Sequence, residues 1–448
     1  MLPLKPSWTG KVSTAREDLQ ISLDLRTVET STAACNWSGN YAYRAARVHH
    51  PSSLGQLSEL LAGADSVHAL GSRHSFTGIG DAGELVALDR LAGEISVDHA
   101  AGTVALPGHV SYAELAKVLN REGMALHNLA SLPHISVAGA VATASHGSGD
   151  RKGNLATAVV GLELVTSQGE LIRAHKGEDR FDGLVVGLGA LGVVTRLTLA
   201  VEPYYEMRQT VFEGLEWDSL FAHFDEITAS GDSVSVFHRF GERTEQVWVK
   251  RRADHEDEPI SRRELFGAQP ASSPRHPISG AGAVNSTVQL GVRGPWSERL
   301  PHFRSGFIPS SGEEIQAEFF VAREDGVAAI QAMRELAGSI RPLLLTSELR
   351  TIAADSLWLS PQFGRPTVAI HFTWQRRQSE VEHVLQDIEA ALAPFGARPH
   401  WAKLFTAGAA AIAPHYERMD DFRRLREQLD PRGAFCNDWL RRRVLSVA

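Results

Sequence analysis

Three glycine-rich segments in the first half of the chain constrain its fold more than any other feature. They are residues 71–76 (GSRHSF), 131–149 (SLPHISVAGAVATASHGSG) and 187–193 (GLGALGV). Glycine permits positive φ and lets backbone N–H groups approach a ligand closely. Successive N–H groups in such turns form a concave site for an anion such as a pyrophosphate. A single glycine loop is usually only a turn, but three in one half of a chain predict one extended anionic cofactor.

The pattern around these loops is that of an α+β protein, not of a Rossmann nucleotide fold. No GxGxxG follows a first strand and opens a helix, with an acidic residue beyond it. Apolar spacing predicts helices at 54–61 and 112–121. Short apolar runs predict strands at 67–70, 159–165 and 193–201.

The character of the sequence changes after Pro203, where strand-like runs dominate. These runs are residues 233–240, 246–250, 315–321, 343–352 and 367–374, interrupted by predicted helices at 327–340 and 381–392 and by a long polar loop at 254–282. A charged helix at 418–429 stops at the sequence Asp-Pro-Arg-Gly. A chain of 448 residues has room for two or three domains. We predict an N-terminal extension (1–35), a cofactor-binding domain (36–203), a sheet-rich substrate domain (204–415) and a C-terminal return to the first domain (416–448).

Charge and cysteine content limit the classes of partner and the cellular compartments that fit this chain. The net charge is −8 and no run of Lys and Arg is present, which argues against nucleic acid or an anionic membrane as a partner. Cys35 and Cys436 lie far apart, which excludes a disulfide framework and favours a reducing compartment. No secretory signal or membrane-length apolar stretch is evident. We therefore expect a cytoplasmic protein, and we predict a monomer.

The histidines of the loops have two interpretations, as ordinary surface or hydrogen-bonding residues and as residues that take part in chemistry. His74 follows the short strand at 67–70, and a histidine in such a turn is most often a surface or hydrogen-bonding residue. His134 and His146 in the second loop have no partners at metal-ligand spacing, so we predict no metal site.

Polar side chains recur on one face of three predicted strand segments, since alternate residues of a strand share a face. The neighbouring runs 343–345 and 368–370 are apolar, which indicates internal strands. A solvated face with salt bridges is the alternative. Unpartnered charges are expensive to bury, which favours mutual pairing around a polar ligand such as a polyol. The shared faces carry Thr346, Glu348 and Arg350 in the first segment, His371 and Thr373 in the second, and Trp401 and Lys403 in the third.

Together these motifs resemble the vanillyl-alcohol oxidase superfamily of FAD enzymes. The loop at 71–76 resembles its histidyl-flavin loop, and residues 131–149 are similar to the FAD loop of alditol and xylitol oxidases and their aldonolactone oxidase relatives. The resemblance runs from about Asn36 to the end of the chain. It also includes GALGVVT (189–195), SELRT (347–351), HFTW (371–374), HWAK (400–403), LDP (429–431) and FCN (435–437).

The resemblance implies a two-domain FAD protein in which His74 bonds covalently to the isoalloxazine. In that family the position of Arg73 is often glycine. The cofactor-binding residues that it implies are Gly71, Ser72, Arg73, His74, Ser75, Phe76, Ala130, Ser131, His134, Val137, Gly139, Thr143, His146, Gly147, Gly192, Val193 and Val194.

The resemblance also implies oxidation of the terminal hydroxyl of a xylitol- or sorbitol-like polyol to an aldehyde, with O₂ reduced to H₂O₂. Lys403 and His371 would contact the reacting hydroxyl, and Glu348 and Arg350 would hold the next one. Ser131 and Thr373 would fix the rest of the substrate. Either Lys403 or Arg350 would supply a cation at the flavin edge.

Two alternatives stay open at this stage. The same residues suit an aldonolactone oxidase or dehydrogenase, and a non-catalytic flavin-binding protein is also compatible with the fold.

The residue beside the flavin that controls access of O₂ is implied to be Ala130. In the aldonolactone branch, glycine at this position goes with oxidases and alanine with restricted access of O₂, whereas in the alditol branch alanine is compatible with oxidase activity, so this position alone does not decide between oxidase and dehydrogenase. No haem or iron–sulfur motif suggests another electron acceptor, which favours O₂.

Overall fold

The computed structural model describes residues 35–253, 264–306 and 314–446. The predicted N-terminal extension, apart from Cys35, and part of the predicted loop at 254–282 lie outside the described residues.

The first half of the chain builds three small sheets. Strands β1 (Arg47–His49), β2 (Val67–Ala69) and β3 (Glu84–Val86) form a parallel sheet in the order β1-β3-β2. Strands β4 (Ser96–Asp98), β5 (Thr103–Pro107), β7 (Val159–Val165), β8 (Leu171–His175) and β9 (Val193–Ala200) form an antiparallel sheet in the order β4-β5-β9-β7-β8. A third pair joins β6 (Met124–Ala125) to β10 (Glu202–Pro203).

The two longer helices of this half, α1 (Leu54–Gly63) and α2 (Tyr112–Arg121), begin where the sequence supplies a cap and an apolar stripe. In α2, Ser111 and Glu114 form a reciprocal capping box, which satisfies backbone N–H groups at the first turn. Leu115 and Leu119, four positions apart, are buried on one face. The other helices here are α3 (Val137–Ala142) and α4 (Phe181–Val185).

The second half builds one large antiparallel sheet in the order β14-β11-β13-β12-β17-β18-β16-β19, with β15 paired to β11. Its strands are β11 (Glu206–Glu213), β12 (Ser233–His238), β13 (Gln246–Arg252), β14 (Gln269–Pro270), β15 (Gly294–Pro295), β16 (Glu314–Ala322), β17 (Leu344–Ile352), β18 (Thr367–Gln375) and β19 (Arg398–Pro399). The helices are α5 (Trp217–Ala222), α6 (Phe224–Thr228), α7 (Gly326–Glu335), α8 (Ala337–Ile340), α9 (Gln378–Leu392), α10 (Ala409–Ile412), α11 (Met419–Leu429) and α12 (Asp438–Leu440).

The α+β class predicted from the sequence is confirmed, and two local predictions are corrected. The helix predicted at 327–340 is divided at Leu336 into α7 and α8. Residues 401–403 do not continue a strand, because β19 ends at Pro399 and the chain then turns, with Lys403 N donating to His400 O at 3.0 Å. Trp401 and Lys403 therefore do not share a strand face.

The second glycine loop is fixed to the large sheet. The backbone N–H of Gly149 donates to Thr351 O at 2.8 Å, and the Thr351 hydroxyl donates to Asp150 Oδ1 at 2.6 Å. Arg323, which follows β16, donates to the same carboxylate oxygen at 2.7 Å. These contacts hold the loop against the strand that carries Glu348 and Arg350.

The end of the chain returns to the small parallel sheet. Val67 N in β2 donates to Ala434 O at 2.9 Å, and the amide of Asn437 donates to the backbone oxygens of Gly78, Ile79 and Asp81. Among the described residues, no helix combines the length and apolar character needed to cross a membrane.

Candidate active site

One cavity of about 1130 Å³ runs between the three glycine loops and the face of the large sheet. Pockets for small ligands are usually about 300–1,000 Å³, so this cavity has room for more than a polyol alone. Its walls contain most of the residues predicted from the sequence: Gly71, Ser72, Arg73, His74, Ser75, Phe76, Ala130, Ser131, His134, Gly139, Thr143, His146, Gly192, Val194, Glu348, Arg350, His371, Thr373 and Lys403.

His74 is held as a neutral imidazole at the wall of this cavity. Its Nε2 lies 2.8 Å from Nε2 of His134, and its ring stacks on Trp37 with centroids 5.4 Å apart. Burial, followed by the proximity of His134, lowers the pKa of His74 to about 4. Its buried Nδ1 has no hydrogen-bond partner among the described residues. His74 is therefore a neutral ring at the cavity wall whose Nε2 is engaged by His134.

The first loop adopts a conformation that favours glycine at a position occupied by arginine. Arg73 has φ +60, in the left-handed region, which side chains other than glycine, asparagine and aspartate rarely adopt. The turn is held by Trp37 N, which donates to Arg73 O at 2.8 Å. The left-handed conformation explains why glycine suits this position.

The glycines of the loops permit close approaches that a side chain would block. A Cβ at Gly71 or Gly139 would lie 2.9 or 2.7 Å from Ser136 Oγ, and a Cβ at Gly189 would lie 2.2 Å from the His68 ring. The buried His68 Nε2 has no hydrogen-bond partner among the described residues. Tight glycine loops, unpaired imidazole nitrogens and a long cavity together fit an extended dinucleotide such as FAD.

Strand register brings the acidic and imidazole side chains of the large sheet into one row. His371 in β18 lies directly opposite Glu348 in β17 and opposite Glu318 in β16. Residues directly opposite in neighbouring strands project from the same face. The row therefore places the imidazole of His371 between the carboxylates of Glu348 and Glu318.

Glu318 is the centre of a buried ion cluster, and the sequence analysis missed it. Its Oε2 lies 2.6 Å from Lys403 Nζ and 3.2 Å from His146 Nε2, and its Oε1 lies 2.9 Å from Arg350 Nη2. Burial opposes ionisation, but Lys403, His146 and Arg350 together hold the pKa of Glu318 well below its ordinary value. We call these four residues the Glu318 cluster.

Lys403 also contacts His371 and thereby sets the state of its ring. Lys403 Nζ lies 2.8 Å from His371 Nδ1, and His371 Nε2 lies 3.1 Å from the Thr373 hydroxyl. Burial, followed by the charge of Lys403, lowers the pKa of His371 to about 4, so the ring is neutral at pH 7. Burial also lowers the pKa of Lys403. Of the three N–H donors of the Lys403 ammonium, the described residues engage two.

Glu348 is paired on both of its oxygens. Oε1 lies 2.9 Å from His302 Nε2, and Oε2 lies 3.5 Å from Arg350 Nε. Burial opposes ionisation, but Arg350 and then His302 hold the pKa of Glu348 well below its usual range. The carboxylate is therefore ionised where it faces the cavity.

Three predicted cofactor residues do not line the cavity. Val137 and Val193 are buried in the apolar core, and Val193 alternates along β9 with Gly192 and Val194, which do face the cavity. Gly147 packs against the backbone oxygen of Leu129. These three residues are therefore not among those that the cavity exposes to a cofactor. Trp401 is also in the core, where its indole N–H donates to Leu359 O at 2.7 Å.

The missed residues differ in how well the sequence marks them. Glu314, Gln316 and Glu318 alternate along the apolar strand β16, which is the same signal that identified Glu348 and Arg350. His302 lies in an irregular segment between strands, and no periodicity marks it.

His146, Glu318 and His400 offer ligand atoms within 4.8 Å of one another. Lys403 and Arg350 already contact the only carboxylate of this group. Two neighbouring cations oppose a further one, so the arrangement does not favour a metal ion.

Comparisons with known proteins find two matching family models and several similar proteins. Residues 45–175 match the model of an FAD binding domain, and residues 313–443 match the model of D-arabinono-1,4-lactone oxidase. The chain is 47% identical over 418 residues to an alditol oxidase of Streptomyces sp., covering 92% of this chain and 99% of that protein. It is 28% identical over 436 residues to an L-gulono-1,4-lactone dehydrogenase of Mycobacterium tuberculosis, covering 91% and 98%.

Among solved structures, a cholesterol oxidase from B. sterolicum superimposes with a TM-score of 0.75 at 17% identity, covering 91% of this chain and 96% of that one. A solvent-stable cholesterol oxidase gives 0.73 at 14% identity. At such identities the likeness concerns the fold alone.

Proposed function

Because the chain belongs to the alditol oxidase family of FAD-dependent oxidoreductases, we propose that it oxidises the terminal hydroxyl of a small polyol to an aldehyde and reduces O₂ to H₂O₂. The observation that carries this proposal is the buried row of Glu348, His371 and the Glu318 cluster, which combines ionised carboxylates with a neutral imidazole next to the glycine loops in one cavity. Membership of an oxidoreductase family also answers the alternative of a non-catalytic flavin-binding protein.

We propose that FAD is held by the three glycine loops and bonded covalently to His74. Nε2 of His74 contacts His134, which leaves Nδ1 as the nitrogen for the bond. When bound, FAD supplies the acceptor for the hydride that leaves the alcohol carbon. The domain limits 36–203, 204–415 and 416–448 remain part of this proposal.

Lys403 and His371 are proposed to contact the reacting hydroxyl. The remaining N–H of Lys403 orients its oxygen. Burial lowers the pKa of Lys403, so its ammonium loses a proton more easily than that of an exposed lysine. The neutral amine can then accept the proton of the hydroxyl. Arg350, whose guanidinium stays protonated, is then the permanent cation of the site.

The remaining polar residues are proposed to hold the rest of the substrate. Glu348 accepts a hydrogen bond from the next hydroxyl and Arg350 donates one to it. Ser131 and Thr373, on opposite walls of the cavity, fix the chain of the polyol. Such positioning is worth large factors in rate, since a displacement of about 1 Å can cost on the order of a hundredfold.

The second candidate is oxidation of an aldonolactone, such as gulono- or galactono-1,4-lactone. It is favoured by the lactone oxidase model that matches residues 313–443, which include β16, β17 and β18. The greater identity to the alditol oxidase, over nearly the whole chain, favours the polyol.

The two candidates are separated by steady-state O₂ consumption and peroxide release with xylitol, sorbitol, glycerol and the two lactones. The proposal expects the largest kcat/KM with a polyol and an aldehyde as the product. A larger kcat/KM with a lactone would assign the second function instead. Both cysteines are free, which fits the proposed cytoplasmic location.

A further inference from the structure

A lysine with no contact to the cavity lies behind the substrate wall. Lys250 in β13 is fully buried, and its Nζ lies 2.5 Å from Leu300 O, 3.2 Å from Pro301 O and 3.2 Å from His302 Nδ1. An ammonium group has three N–H donors and no acceptor, so each donor of Lys250 has one partner here. Burial lowers the pKa of Lys250 to about 7, and the negative charge of Glu348 opposes that effect.

The other face of His302 fixes its tautomer. Its Nε2 lies 2.9 Å from Glu348 Oε1, and an ionised carboxylate only accepts hydrogen bonds. Nε2 therefore carries the hydrogen, and Nδ1 accepts from Lys250. Burial, followed by the charge of Lys250, lowers the pKa of His302 to about 4, which agrees with a neutral ring.

The ring of His302 packs between aromatic side chains, and its backbone is hydrogen-bonded to Ser131 at the start of the second glycine loop. Phe237 and Trp248 contact the ring edge to face, with centroids 5.4 and 5.3 Å away. The backbone N–H groups of His302 and Phe303 both point to Ser131 O, at 3.2 and 3.3 Å. One short segment thus contacts both walls of the proposed polyol site.

We propose that His302 is a positioning residue for polyol binding, which holds the Glu348 carboxylate through Nε2–H, and that Lys250 supports it by fixing the tautomer. Oε1 of Glu348 is committed to His302. Oε2, whose contact to Arg350 is 3.5 Å long, is left for a substrate hydroxyl. The inference rests on the proposed function, because it requires that Glu348 binds the polyol.

The test compares His302→Leu, His302→Gln and Lys250→Met with the wild-type holoenzyme on xylitol. Each preparation is first checked for wild-type flavin absorbance per chain and for Tm. Losing a hydrogen bond to a charged group is expected to raise KM by roughly tenfold to a hundredfold in His302→Leu, with a smaller change in kcat. Glutamine keeps an N–H donor, so His302→Gln should recover most of the affinity. Lys250→Met removes the donor that keeps the hydrogen of His302 on Nε2, and it should therefore also raise KM.

A double-mutant cycle distinguishes positioning from a general effect on packing. In a Glu348→Ala background, His302→Leu should change KM little, because the group that it positions is absent. An unchanged KM in both His302→Leu and Lys250→Met, or an equal rise with and without Glu348, would overturn the inference while the proposed function stood. A wild-type holoenzyme that oxidises no polyol would overturn both. Should His302→Leu fail to fold, Lys250→Met with the same Glu348→Ala cycle decides the question.

Discussion

The ammonium of Lys403 lies 2.6 Å from Oε2 of Glu318, although 85 positions separate the two residues in the chain. The other oxygen of Glu318 lies 2.9 Å from Arg350. Each oxygen of one fully buried carboxylate therefore faces its own cation. This arrangement places Lys403 and Arg350 side by side at the cavity without leaving either charge unpaired.

Glu318→Gln should impair catalysis strongly, because it removes the charge that holds these two cations. Breaking a buried ion pair typically costs about 3–5 kcal/mol of stability. With Lys403 and Arg350 displaced, we expect kcat/KM to fall by roughly a hundredfold. Steady-state kinetics on xylitol measures the effect. Glu314→Gln is the control, since Glu314 lines the same cavity from the same strand and bonds only Gln316 among the described residues. Equal kinetics in the two variants would contradict the prediction.

Replacing His74 by alanine should abolish covalent flavin, because it removes the unpaired Nδ1. Acid precipitation measures this: the wild-type pellet should be yellow, and the His74→Ala pellet colourless with any FAD in the supernatant. His109→Ala is the control, since His109 lines the same cavity at an exposed position and should leave the pellet yellow. A colourless wild-type pellet would rule out the covalent bond.

The sequence predicted the strands of the site better than the contacts between them. Glu348, Arg350 and His371 alternate with apolar residues along β17 and β18, and this period of two revealed their shared face. Which strands become neighbours depends on long-range pairing. For that reason, the contact of β16 with β18, which brings Glu318 opposite His371, could not be inferred.

Irregular segments account for the remaining differences. Lys403 was predicted on a strand but projects from a turn after β19, where no periodicity determines the direction of the side chain. His302 reaches Glu348 from another irregular segment, and only the folded chain brings them together. The glycine loops, by contrast, were predictable because glycine is the residue type that permits positive φ and the close backbone approaches of such loops.

A buried histidine away from the cavity should make the protein less stable in acid. Burial, followed by the charge of Arg334, lowers the pKa of His238 to about 3. Between about pH 6.5 and pH 3, the unfolded chain binds a proton here that the native protein does not. The stabilisation is therefore complete above pH 6.5 and is lost as the pH falls, by up to about 1.4 kcal/mol per pH unit.

His238→Asn tests this pH dependence, because asparagine does not titrate and can accept the hydrogen bond from Phe240 N. The free energy of unfolding is measured with urea at several pH values between 7 and 5. Its slope against pH should be smaller in His238→Asn than in the wild type, by up to about 1.4 kcal/mol per pH unit, which corresponds to one bound proton. Equal slopes would contradict the depressed pKa.

Ala130→Gly should speed the reaction of the reduced enzyme with O₂. Ala130 lines the cavity beside Ser131. The resemblance to the alditol oxidases implies that the residue at this position controls access of O₂ to the flavin. Removing the methyl group should raise the second-order rate constant for reoxidation in stopped-flow experiments, with little change in reduction by xylitol. Ala281→Gly, on another part of the cavity wall, is the control. A rate constant for Ala130→Gly at or below the wild-type value would show that Ala130 only packs the loop.

The most direct test of FAD-dependent polyol oxidation is an anaerobic titration of the purified holoenzyme, followed by its visible absorbance. Xylitol and sorbitol should bleach the flavin band, gulono-1,4-lactone should do so poorly or not at all, and readmitted air should restore the colour with release of H₂O₂. Bleaching by the lactone but not by the polyols would contradict the proposed substrate. A flavin band that no polyol and no lactone bleaches would contradict the whole assignment of the site.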